Sequence, residues 1–260
     1  IIGTDYYQSG VHIKEGYLIQ PAKLIRGLAD TLPNQIQLCE YSIVLDVRAG
    51  DQGSTWQVQT EDACIIADIV IFATNAAIKQ FGHWRNRLVT IYTYAGLTSE
   101  MDSEDAAHLG ASVWGVLPAH RLGTTLRRVD HNRLMVRSLY AYEKPLDSQF
   151  VKHSLTRCFE RRYPMLKHVS LEYIWGGTTA LTMNGSPAWG QIKRGVFASA
   201  GCNGSGIVKG TLLGKRLAEM IVTGDPQEAM RSAYGKASWI APEPFRTIGF
   251  HLVSGYEMRK

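Results

Sequence analysis

The stretch Ser199–Gly210, SAGCNGSGIVKG, decides how the rest of this 260-residue chain is read. It closes the short apolar run Val196–Ala200 and opens Ser205–Thr223, a helical segment stopped by Gly224-Asp225-Pro226. Glycines at 201, 204 and 206 permit positive φ and let backbone N–H groups approach a ligand with no Cβ in the way. A helix starting there adds the positive end of its dipole, so the turn suits an electron-rich group. Gly206, Gly210 and Gly214 then leave one helix face bare, able to lie against a strand or against a flat ligand. The order is G-x-x-G-x-G, not the G-x-G-x-x-G of a dinucleotide fold's first turn. Alone it leaves a packed glycine helix and a ligand turn both open.

Outward from that turn, Pro21–Leu32 reads as a helix, with Leu24, Ile25, Leu28 and Leu32 at helical spacing and Pro21 at its first position. Ile36–Cys39, Ile43–Val47 and Trp56–Thr60 read as strands. Cys64–Ala73, CIIADIVIFA, is nearly all apolar and predicts a strand buried on both faces, running into Thr74-Asn75 and a short helical stretch. Leu88–Leu97, Thr124–Arg128 and Leu134–Leu139 suggest antiparallel strands, Leu146–Tyr163 an amphipathic helix, and Ser170–Trp175 another strand. The mixture predicts an α+β fold with a piece of α/β sheet embedded.

A composition of 45% hydrophobic and 20% charged residues supports a sizeable core. The net charge of +5, with a pI near 9.0, suits an anionic ligand. Its basic residues form no block and no stacked aromatic ladder, which argues against nucleic acid. Cys39, Cys64, Cys158 and Cys202 stand far apart, as reduced thiols of a cytoplasmic protein would, and the histidines lack metal-site spacing. No run approaches the roughly 20 apolar residues that cross a bilayer. The chain opens in strand-like sequence without an initiator Met, as an interior position of a longer protein would.

Several stretches occur in a telling order: GYLIQPAKLIRGLADTLP, CEYSIVLDV, ADIVIFATNAA, WGVLPAHRLGTTLRR, YIWGGTTALTMNGSPAWGQI, FASAGCNGSGIVKGTLLGKRLAEMI and PEPFRTIGF. Together they resemble the FAD-dependent amine and amino-acid oxidases that include D-amino-acid oxidase, glycine oxidase and sarcosine oxidase, and among them the γ-glutamylputrescine oxidase-like branch. The resemblance covers nearly all of the chain. The family's N-terminal strand, G-x-G-x-x-G turn and helix do not occur in it. It implies an antiparallel-sheet substrate domain plus the C-terminal part of an FAD-binding α/β domain. The boundaries expected are 1–80 (partial FAD-binding domain and start of the substrate domain), 81–190 (substrate-binding domain) and 191–260 (C-terminal FAD-binding segment and tail).

The late glycine turn then faces the pyrimidine edge of the flavin, where N–H donors and a helix N-terminus stabilise the charge gained on reduction. The resemblance implies cofactor contacts from Val44, Ala73, Thr74, Gly201, Asn203, Gly204, Ser205, Gly206 and Ile207. The substrate candidates are Tyr92, Trp114, Arg127 and Trp175, the last because the family carries a W-x-G element there; Arg127 offers bidentate bonding to a carboxylate, and Arg128 reads as a solvated edge-strand residue. The resemblance singles out no catalytic acid or base. FAD is expected to bind non-covalently in the whole protein, and weakly or not at all in these 260 residues alone. The activity implied is oxidation of an amine or amino acid to an imine, with a non-catalytic substrate-domain fragment or assembly subunit as the alternative. An exposed apolar face around Cys64–Ala73 is expected to be covered by a partner chain or by self-association.

Overall fold

The computed structural model describes residues 1–50, 54–110, 112–120 and 122–257. Its elements in chain order are α1 (Pro21–Asp30), β1 (Val44–Ala49), β2 (Trp56–Thr60), β3 (Cys64–Ala67), β4 (Val70–Phe72), β5 (Val89–Thr98) and α2 (Ser103–Ala107). They continue with β6 (Trp114–Val116), β7 (Thr125–Val129), β8 (Arg133–Tyr142), α3 (Ser148–Arg162), β9 (Leu171–Leu181), β10 (Ala188–Lys193) and β11 (Val196–Ala200). Helices α4 (Gly206–Thr223), α5 (Glu228–Tyr234) and α6 (Phe245–Glu257) close the chain. The fold is α+β, and it forms two compact units. One comprises Ile1–Leu18, Ile91–Thr178 and Pro242–Lys260, the other Ile19–Thr90 and Thr179–Ala241.

The second unit holds two three-stranded sheets. In one, β1, β2 and β3 are antiparallel neighbours. In the other, β11 lies between β10, which is antiparallel to it, and β4, which is parallel, with Val196 opposite Val70 and Ala198 opposite Phe72. Phe72, Ile78, Leu88, Val196, Ala198 and Ala200 form the core there. Helix α4 docks through Leu213, Leu217 and Met220, with Phe197 and Trp189 beneath them. Its stop is a left-handed Gly224 whose N–H reaches the Met220 carbonyl.

The first unit is built on a five-stranded sheet in the order β6-β7-β8-β5-β9. Helix α3, started by the Asp147 carboxylate accepting from the Phe150 N–H at 2.9 Å, covers one face. Phe159 at its C-terminal end and Tyr163 beyond it pack with Leu126, Leu134 and Val136, while Val151 and Leu155 pack with Tyr94 and Leu171. The chain's first residues belong here through side-chain bonds. Tyr163 donates to the Ile2 carbonyl at 2.9 Å, and the buried Arg162 donates to the Tyr7 hydroxyl at 3.1 Å beneath the Tyr6 ring. The tail joins through Tyr142, whose hydroxyl meets Glu243 and whose ring meets Phe250.

These contacts explain why consecutive boundaries near 80 and 190 do not match the compact units. Both ends of the sequence return to the middle segment, and no local pattern announces that.

Four further expectations change. Cys64–Ala73 is two strands, not one buried strand, because Cys64–Ala67 pairs with β2 in one sheet and Val70–Phe72 with β11 in the other. Ile65, Ile66 and Ile71 are 50%, 58% and 51% exposed, so neither strand is buried on both faces. Ile36–Cys39 is no strand; the Ile36 N–H turns back to the Pro33 carbonyl. Arg128 is no edge-strand residue, since β7 lies between β6 and β8. Strands β6 and β10, too short or too glycine-broken to show a period, carry no sequence signal.

Candidate functional site

Because β4 and β11 run parallel, their C-terminal ends lie side by side, and the segments leaving them meet. Ala73 and Thr74 leave β4 exposed, and Asn75, at φ 48°, opens the 3-10 helix Asn75–Phe81. The Asn75 carboxamide crosses to the other exit. Its Oδ1 accepts from the Gly201 N–H at 3.0 Å, and its Nδ2 donates to Cys202 Sγ at 3.5 Å. Gly201 is needed at its place. It sits at φ +72°, and a methyl there would come within 3.0 Å of Thr182 Cγ2 and 3.3 Å of Leu88.

Asn203, also left-handed at φ 51°, holds the far side of the turn. Its Oδ1 accepts from the Thr182 N–H (2.8 Å) and hydroxyl (3.2 Å), and its Nδ2 donates to the carbonyls of Gly201 (2.7 Å) and Gly185 (3.0 Å). An amide offers two donors and one carbonyl oxygen, so this side chain is fully occupied by protein partners.

Beyond it the turn opens outward. Gly204, Ser205 and Gly206 are exposed, and Ser205 occupies the N-cap without a side-chain hydrogen bond. The Gly206, Ile207 and Val208 N–H groups therefore have no acceptor inside the helix. At 100° per residue, Gly206 and Gly210 lie on nearly the same face as Leu213 and Leu217. Farther along α4 that face packs on the sheet, but a methyl at 204, 206, 210 or 214 would meet no atom within 4 Å. Among the described residues no strand lies against these glycines. The exposed glycine face thus lies beside unpaired helix N–H groups and the positive end of the helix dipole, a combination suited to an electron-rich group.

Cys202 lies half-buried inside the turn. Burial pushes its thiol up, but hydrogen bonds from Thr179, the Gly204 backbone, Asn75 and the Ala180 backbone outweigh it and hold the thiol below its usual range. Alkylation of Cys202 by iodoacetamide, followed on its peptide by mass spectrometry, is expected to reach half its maximal rate at a lower pH than that of an ordinary thiol. Thr179→Val should move that midpoint upward. An unchanged midpoint would show that these donors do not stabilise the thiolate.

Val44, at half burial, begins β1 opposite Thr60 in the other three-stranded sheet. The four substrate candidates belong to the first unit and do not share one face. Trp114 is 8% exposed among Leu126, Leu134 and Phe159, with Nε1 donating to the Leu109 carbonyl at 2.7 Å. It is a core residue. Tyr92 packs beside Val151 and Leu155 on the α3 side. Arg127 stands opposite Met135 and Gly115, one residue out of phase with Leu126, and so projects from the helix-free face. Arg133 and Arg137 share that face; Arg133 is paired with Glu172 at 2.5 Å, and Arg137 bonds the Tyr140 hydroxyl at 2.9 Å. Trp175 projects there too, because its neighbours Ile174 and Gly176 face the Tyr94 side. No carboxylate pairs with Arg127 among the described residues. Arg128 points the opposite way, with Nη1 buried and lacking a hydrogen-bond partner among the described residues.

Sequence distance hid the partners of the two asparagines: Asn75 and Gly201 are 126 positions apart, and Thr182 and Asn203 are 21. Thr74, at the strand end where a cofactor contact is expected, makes no side-chain capping bond to the helix that follows.

Residues 2–220 match the family model described as FAD dependent oxidoreductase, DAO. The chain belongs to that family. It is similar to the probable oxidoreductase OrdL of Haemophilus influenzae, 26% identical over 86% of this chain and 52% of that protein. The gamma-glutamylputrescine oxidoreductase of Escherichia coli is likewise 26% identical, over 85% of this chain and 51% of its own length. The chain thus spans about half the length of the curated relatives it matches. In fold it resembles crystal structures of L-proline dehydrogenase from P. horikoshii (TM-score 0.58, 20% identity, 78% of this chain and 56% of that one) and glycine oxidase from Geobacillus kaustophilus (TM-score 0.57, 19% identity, 80% and 52%). FAD is the cofactor of the DAO family, and the open cradle at the start of α4 fits a flavin ring. Among the described residues there is no cluster able to hold a metal ion, and no helix is long and apolar enough to cross a membrane.

Proposed function

We propose that this chain is part of a cytoplasmic FAD-dependent oxidoreductase that oxidises the C–N bond of an amine or amino acid, of the γ-glutamylputrescine type, to an imine. The observation that carries this reading is the uncapped, glycine-faced start of α4 beside the ends of β4 and β11, in a chain of the DAO family. When bound, the flavin accepts the hydride equivalent from the substrate's C–H bond. Gly206 and Ile207 offer it backbone N–H groups, Gly204 and Ser205 form the exposed rim beside them, Gly201 and Asn203 shape the turn, and Ala73, Thr74 and Val44 complete the contacts in the second unit. In the first unit, Arg127 holds a substrate carboxylate and Trp175 offers an apolar wall; Tyr92 acts from behind the sheet.

The 260 residues alone hold FAD weakly and are inactive, because the turn that grips the pyrophosphate in this family has no counterpart in them. The exposed apolar residues of α1, β3 and β4, among them Ile25, Leu28, Ile65 and Ile66, are covered by further chain, a partner or a second copy.

Flavin absorbance decides the matter. The product of the complete reading frame is expected to carry FAD stoichiometrically and the 260-residue chain far less; a complete product without flavin overturns the reading. In the active protein, Arg127→Gln is expected to raise KM for carboxylate-bearing substrates by about tenfold or more, the worth of one charge-assisted hydrogen bond, with kcat little changed. An unaltered KM would remove Arg127 from the site.

A further inference from the structure

We propose that Asn75 and Asn203 are positioning residues for the flavin: together they fix both sides of Gly201 and so aim the free N–H groups of Gly206 and Ile207 outward. The inference rests on the flavin reading above. Gly201 is the hinge of the turn, the first residue past β11, left-handed and enclosed. Its N–H is held by Asn75 from the exit of β4, and its carbonyl by Asn203 from within the turn. Asn203 also ties the turn to the link between β9 and β10 through Thr182 and Gly185.

Three strand ends are thereby locked to one peptide segment by two carboxamides. Neither amide is aimed at a ligand: all four hydrogen-bonding positions of Asn203 are taken, and both polar atoms of Asn75 are engaged within the turn. This gives Asn203 a different part from direct cofactor contact. Both asparagines are left-handed, at φ 48° and 51°, a conformation glycine adopts without strain. Glycine substitution therefore removes the clamp while sparing the backbone.

The test uses the FAD-loaded product of the complete reading frame and its Asn203→Gly and Asn75→Gly variants. A clamp that only stabilised the fold would lower the melting temperature and leave bound flavin unaltered. Positioning predicts more. In Asn203→Gly the FAD dissociation constant should rise several-fold, up to about tenfold, as when one well-aimed neutral hydrogen bond is lost. At saturating FAD its flavin midpoint potential should become more negative, because N–H donors that favour the charge gained on reduction are no longer aimed at it. Asn75→Gly, which removes fewer bonds, should shift both quantities the same way by less, and it carries the test should Asn203→Gly not fold. Folded variants with wild-type affinity and potential overturn the inference and leave the flavin reading standing. A wild-type protein that binds no FAD overturns both.

Discussion

Trp114→Ala is expected to destabilise the protein by about 3–5 kcal/mol, the range for removing a large aromatic from a well-packed core. The side chain fills the space between Leu126, Leu134 and Phe159, and its indole N–H satisfies the Leu109 carbonyl. Alanine would leave both a cavity and an unpaired buried acceptor. Trp114→Phe retains most of the volume and loses the hydrogen bond, so it should cost roughly 1–2 kcal/mol. Urea unfolding of the two variants measures the difference. A tryptophan lining a substrate cavity would behave otherwise, with KM raised and the unfolding midpoint nearly unmoved, and that result would return Trp114 to the site.

Alanine at Gly206 and at Gly201 should separate cofactor contact from folding within one turn. At Gly206 a methyl meets nothing in the chain, and the residue is helical, so the flavin-free protein should be unchanged or stabilised by up to about 1 kcal/mol. FAD affinity should nevertheless fall about tenfold or more if the ring lies against that face. At Gly201 the order is reversed. The left-handed backbone and the approach to Thr182, Leu88 and the Ala188 N–H make alanine cost about 2–3 kcal/mol before any cofactor is considered. Gly204 is a poorer probe, because its φ of +82° strains any alanine whatever the space around it. Calorimetry of the flavin-free variants with FAD titration of each supplies both numbers. Normal FAD affinity in Gly206→Ala would sink the cofactor role of that helix face.

The sequence by itself determined the elements whose signals are local. Val196–Ala200 is a strand at its stated limits, α4 begins within one residue of Ser205 and ends at Thr223, and Trp56–Thr60 is a strand. A short apolar run, a glycine turn and a Gly-Asp-Pro stop act over a few residues and need no distant partner. The order of motifs along the chain determined the family for the same reason, since order is a property of sequence.

Tertiary structure decided everything that depends on which segments become neighbours. CIIADIVIFA looks like one buried strand because hydropathy is read along the chain; it breaks because its halves find partners in different sheets, at β2 and at β11. Trp114 and Arg127 both looked available to a substrate, yet strand phase sends one into the core and the other to the helix-free face, and a phase of two residues has no absolute sign until a helix covers one side. The glycines of α4 read from sequence as packing or ligand residues alike; the fold shows that no described residue lies against them. Asn75 acquired its partners when parallel pairing of β4 with β11 brought two strand ends together, and Asn203 when the β9–β10 link came beside the turn; no spacing in the sequence encodes either contact.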